Sequence, residues 1–196
     1  MKIHMKKPHT FVILSLVLLS CTGQEIPDKE TQIAQAVLAA PLHQQVNASV
    51  LGYDLKGELV TLRQGSNDFI CVADDPSKEG FSVAAYHKSL EEFMNRGREL
   101  RKQGLNATEI FEKREEEVAA GDLSMPDKTT LYVTSGELDP DTGEVENLYT
   151  RYVIYIPYAT EESTGMPLKP IAPGAPWIMD PGTHRAHIMI NPPKSN

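Results

Sequence analysis

The sequence predicts an α+β domain: an antiparallel sheet with an αα-hairpin packed on one face and a proline-rich C-terminal segment. Three observations carry that reading. Short runs rich in Val, Ile, Tyr and Phe are separated by Asp- and Gly-containing turns, as in hairpins rather than βαβ units. Two segments opening at Ser89 and Asn106 have helix start and stop signals with a short connection between them. Pro167, Pro170, Pro173 and Pro176 recur at every third position, the repeat of a polyproline II helix.

Taken in order, the first element begins at Glu30. Ile33, Ala34, Val37 and Leu38 have helical spacing and stop before Pro41, which predicts a short amphipathic helix. Strands follow at 49–53, 58–63 and 69–73, with turns at 54–57 and 64–67, and they read as an antiparallel meander. Ser89 and Glu92 have the spacing of a capping box, in which each side chain satisfies the other's free backbone donor. The helix they open has Leu90, Phe93, Met94 and Leu100 on its apolar face and stops at Gly104.

Asn106 and Glu109 cap the second helix, with Leu105 placed to staple Ile110, and Gly121 ends it. Ile110, Phe111 and Val118 face inward, and the charged run 112–117 reads as a solvated outer surface. Strands at 129–134 and 149–156 form a long-looped hairpin broken at 139–143, and 186–190 supplies the last strand. In the proline-rich segment Leu168, Ile171, Gly174 and Trp177 share one stripe of the three-fold helix, which predicts that this stripe packs inward.

The N-terminal end has its own logic. Lys2, Lys6 and Lys7 precede an apolar run from Phe11 to Leu19 that contains no charge. That run has signal-peptide length and is too short to span a bilayer. Leu18-Leu19-Ser20-Cys21 follows it and resembles the bacterial lipobox, in which a branched apolar residue stands three before a Cys and a small residue just before it. The resemblance covers residues 1–21. It implies a bacterial lipoprotein: residues 1–20 are removed, the Cys21 thiol takes a diacylglyceryl group, and the new amine is acylated. Two or three such chains hold firmly, at about 0.8 kcal/mol per buried methylene. Residues 21–29 are then the lipidated Cys and a linker, and 30–196 a single globular domain. Thr22, in place of the Asp associated with inner-membrane retention, implies the periplasmic side of the outer membrane in a Gram-negative host.

Removing residues 1–20 takes away three lysines and no acid, so the net charge of −8 becomes −11. A domain this acidic disfavours nucleic acid and other polyanions. Anionic headgroups repel it as well, so the lipid does the anchoring. With Cys21 acylated, Cys71 has no partner for an intramolecular disulfide.

Candidate chemistry is sparse. Cys71 serves as a nucleophile only if folding brings it to His87 or His187, which would lower its pKa; in Phe-Ile-Cys-Val its plainer role is that of a small buried hydrophobe. His184, His187 and Met189 have the soft character of a copper site but no third cluster of ligands, and no metal or cofactor is assigned. The stretch 139–150 opens like a calcium loop, yet Gly143 stands at its fifth position and Thr150 at its twelfth, where carboxylates or amides are needed. Phosphate-binding glycine loops and nucleophile-elbow motifs are absent from the sequence. The expected function is therefore a lipid-anchored module that binds an envelope protein or a small ligand, with Trp177, His184, His187 and Met189 as its contact surface. The alternative is an exported enzyme using Cys71 with a His, or a His/Met metal site.

Overall fold

Apolar residues at alternate positions of eight strands build the single sheet of the computed structural model, which describes residues 26–139 and 141–194. The segment expected to be a leader and lipobox, with Cys21, lies outside the described residues. The strands are β1 (Ser49–Tyr53), β2 (Leu59–Arg63), β3 (Phe69–Val72), β4 (Phe81–His87), β5 (Thr129–Leu138), β6 (Val145–Tyr155), β7 (Trp177–Met179) and β8 (His187–Ile190). Their spatial order is β2-β1-β3-β4-β5-β6-β8-β7. Every neighbouring pair is antiparallel except β1 and β3, which run parallel. The helices are α1 (Lys29–Ala36), α2 (Leu42–Gln45), α3 (Glu91–Lys102), α4 (Ala107–Ala120) and α5 (Glu161–Thr164). The chain is thus α+β with a mostly antiparallel sheet.

The expected meander is corrected. β3 does not pair with β2; the chain passes over the start of β1 and lays β3 on its far side. The crossing is held by backbone bonds from Ser66 and Asn67 to the carbonyl of Asn47, at 2.8 and 3.2 Å, and by Gly65 N–H donating to Ser49 Oγ at 3.0 Å. Only glycine fits there, because a Cβ on residue 65 would stand 2.2 Å from the backbone nitrogen of Ser49.

The two sheet faces carry two apolar cores, as the period of two in strand side chains requires. On one, Val50, Cys71, Val83 and Ala85 pack under Ala36 and Ala39 of the first helical segment. On the other, Tyr86, Leu131, Val153 and Tyr155 pack with Leu90, Phe93 and Leu123. Two buried glutamines tie α1 to the sheet. Gln32 Oε1 accepts from Tyr53 N–H at 2.7 Å, and its Nε2 donates to the Tyr53 and Pro27 carbonyls at 2.9 and 2.8 Å. β3 has ended by that point, so the side-chain amide takes the place of a strand and pairs both backbone groups of Tyr53. Gln35 Nε2 donates to Gly143 O in the β5–β6 turn at 3.0 Å.

Helix capping follows the sequence at one start and departs from it at the other. Asn106 and Glu109 form the expected box at α4, and Gly121 ends that helix in the left-handed region with φ 79°. Ser89 forms no box with Glu92. Its hydroxyl instead meets His87 Nδ1 at 2.8 Å and Thr129 Oγ1 at 3.1 Å, and a 3₁₀ turn at Lys88–Leu90 leads into α3. The proline repeat forms no continuous polyproline helix either. Ala175 N–H donates to Ala172 O in a turn through Gly174 at φ 79°, while Leu168 and Ile171 are exposed rather than inward.

Candidate binding site

The structure separates His187 from Cys71 and His87, which lie diagonally on paired strands. Cys71 sits in β3 opposite Ala85, fully buried, and burial pushes its thiol up to about 12. His87 lies opposite Phe69 and turns its ring edge-on to that residue, while its Nδ1 is engaged by Ser89. His187 is in β8, four strand spacings from β3 and so about 19 Å away. Cys71 and His187 do not meet, and burial raises the thiol by more than the Arg63 charge lowers it, the reverse of what a nucleophile needs.

Of the four C-terminal residues expected to form a contact surface, His184 and His187 are interior and Trp177 and Met189 half-buried. His184 is completely buried between the rings of Phe93 and Phe111, at centroid distances of 5.5 and 4.9 Å. Its Nδ1 donates to Glu115 Oε2 at 2.5 Å, and its backbone N–H donates to the same oxygen at 2.8 Å. Burial is the strongest influence on this imidazole and holds its pKa below the ordinary value against the pull of Glu115. Burial likewise acts to raise Glu115, but the two His184 bonds outweigh it and keep the carboxyl low. His187 donates from Nδ1 to Arg185 O at 2.8 Å, and burial lowers its pKa too. Trp177 and Met189 face each other across β7 and β8, with Trp177 Nε1 buried and unpartnered.

Beside the His184–Glu115 pair lies a buried cation, Arg114, that the sequence hides within a charged run. Arg114 lies over the Phe93 ring at 3.9 Å, and its Nη1 donates to Phe93 O at 3.3 Å. Gly97 of α3 makes room for it, since a Cβ there would stand 3.0 Å from Nη1. Glu115 holds His184, and Glu117 takes Arg96 at 2.6 Å. The run 112–117 is therefore not simply a solvated face. Among the described residues no group of three or more His, Cys, Asp or Glu is placed to hold a metal ion.

The open seat lies along β6. β8 pairs with β6 only over Tyr152 to Tyr155, so β6 from Val145 to Arg151 has no strand on that side among the described residues. Pro192 and Pro193 follow β8 and offer no N–H to extend the ladder. Between them and the β5–β6 arm runs a groove of about 560 Å³.

A β-bulge shapes it. Ser135 faces Tyr149 while Glu137 faces Glu146, so β6 carries one extra residue, and Asn147 takes φ 52°. Gly136 lets the strands close on each other, because a Cβ would meet Glu146 O at 2.8 Å. Asn147 Nδ2 donates to Glu137 Oε2 at 2.9 Å, which fixes both side chains. Tyr152, 38% exposed, is braced edge-on by Tyr132 at 5.8 Å, and Lys194 Nζ lies 5.6 Å from the centre of the Tyr149 ring. Among the described residues the charged side chains in the lining are Glu137 and Lys194, one of each sign.

Sequence reading missed this site because β6 begins four residues earlier than the strand expected there. The Val145–Leu148 stretch mixes acids and amides with apolar residues and gives no clean alternation. Asn147 inside a strand was the available signal, since Asn is one of the few residues that tolerates a left-handed bulge position. Comparison with protein-family models, with curated protein sequences and with solved structures finds no match.

Proposed function

We propose that this chain is an exported, lipid-anchored protein of the cell envelope whose domain binds a ligand in the groove along β6. The leader and lipobox ending at Cys21 support the anchor, and the short linker to Lys29 would keep the domain within roughly 25 Å of the bilayer. The observation that carries the binding reading is the groove itself. Its volume falls in the range of small-ligand sites, and Tyr152 on one face of the open edge and the Asn147–Glu137 pair on the other are each held by a partner. The contact surface moves there from the His184–Met189 region, where both imidazoles are interior.

Two arms test the proposal. Cells labelled with radioactive palmitate should incorporate it into the wild-type chain and not into Cys21→Ser; equal incorporation would contradict the anchor. Tyr152→Leu should weaken association of the Cys21→Ser protein with isolated envelopes while leaving its circular dichroism unchanged. Undiminished association would contradict the groove.

A further inference from the structure

We infer that the guest of this groove is an extended segment of another envelope protein, added to the sheet as a strand along β6, an inference that rests on the reading of the groove as the binding seat. Alternate residues of a strand turn their N–H and C=O groups to the same edge. From Leu148 to Arg151 the edge away from β5 has no backbone partner among the described residues. The bulge at Asn147 bounds this stretch on one side and the Tyr152–Ile190 pair on the other, which fits about 13 Å of extended chain. Pro192 and Pro193, across the groove, have no N–H with which to meet the β6 carbonyls. A guest strand supplies donors and acceptors together, and in such pairing the backbone bonds give affinity while alternate side chains give selectivity.

The register decides which side chains a guest would carry. Thr150 and Tyr152 share one sheet face with Thr134 and Tyr132, and Leu148 joins them over Gly136. Leu148 and Tyr152 are exposed, so that face of the edge is apolar and open. Tyr149 and Arg151 lie on the opposite face, where Lys194 Nζ stands over the Tyr149 ring. Past the bulge on this second face, Glu137 and Glu146 oppose each other. A guest running antiparallel to β6, as β8 does, therefore has Leu148 and Tyr152 along one face. Along the other it meets Arg151 and Lys194 first and the two carboxylates afterwards. Because strand side chains alternate between faces, the complementary sequence is apolar, acidic, apolar, basic. A compact ligand would engage one face only and use neither the edge nor the alternation.

The test is fluorescence anisotropy of a labelled peptide, Ser-Val-Glu-Val-Lys-Ser, titrated with the full-length lipidated protein in a zwitterionic detergent. A saturable rise is expected. N-methylation of both Val amides, or of the Glu and Lys amides, blocks one edge of the peptide at a time; at least one of these forms should bind about tenfold more weakly. Arg151→Glu should weaken binding of the parent peptide about fivefold with an unchanged melting curve, and should favour a peptide whose Glu is replaced by Lys. Absence of a rise, parent-like binding by both methylated forms, or indifference of Arg151→Glu to the charge swap would overturn the inference. If no peptide binds yet Tyr152→Leu still releases the protein from envelopes, the groove stands and the strand assignment falls.

Discussion

Glu115 accepts both the ring N–H and the backbone N–H of His184 on a single carboxylate oxygen, at 2.5 and 2.8 Å. One side chain of α4 thereby fastens the loop that leads into β8. Because β8 pairs with both β6 and β7, that fastening orders the whole C-terminal edge of the sheet. Glu115→Ala leaves a buried imidazole and a backbone donor unpaired, and should cost about 2–3 kcal/mol in urea unfolding. A loss below about 0.5 kcal/mol would show that the contact carries no weight.

The same region makes stability fall on acidification. His184 and His187 both have folded pKa values below the ordinary 6.5, in each case chiefly through burial. The unfolded chain therefore takes up protons first as pH drops. The stability these groups contribute is present above about pH 6.5 and is lost as pH falls toward their folded values. Glu115 and Glu117, held below 4.5, add a second loss in more acid solution. Urea midpoints measured between about pH 7.5 and 5 should decline steadily. A midpoint that rises on acidification would contradict the buried, neutral imidazoles.

Cys71 should be chemically silent. A thiol raised to about 12 by burial is almost wholly protonated at neutral pH, and the strand around it admits no reagent. Iodoacetamide should modify the native protein at least about a hundredfold more slowly than the denatured one. Rapid native alkylation would restore the nucleophile reading.

Gly65 decides which strand lies next to β1. Alanine at 65 would place Cβ 2.2 Å from Ser49 N and 2.4 Å from Asn47 O, both backbone atoms that cannot swing aside. Gly65→Ala should destabilise by about 3 kcal/mol. Gly57→Ala, where a Cβ meets nothing within 4 Å but φ is 76°, should cost only about 1 kcal/mol. Equal effects would mean that the crossing is not tightly packed.

These positions also show what the sequence could and could not disclose. The α4 caps, β1 and the 139–143 turn depend on neighbours within a few residues, so Asn106, Glu109, Gly121 and the Asp139 turn are readable locally. β4 is central in the sheet yet was not foreseen: Phe81-Ser-Val-Ala-Ala-Tyr-His87 has two alanines where strong strand formers are usual, and its stability comes from partners on both sides. Ser89 chose Thr129, forty residues away, over Glu92. Arg114 and Glu115 look solvated in a charged run, and only the fold brings Phe93 and His184 against them. The groove depends on where β8 stops, which no local pattern states.

The most direct measurement is site-specific photocrosslinking in living cells, with a benzophenone residue replacing Tyr152 in the groove or Leu42, which is 83% exposed on α2. A groove that holds an envelope ligand predicts a higher-mass adduct from position 152 and none from position 42. Absence of any adduct at 152, or adducts of equal yield at both positions, would contradict the groove as the binding seat.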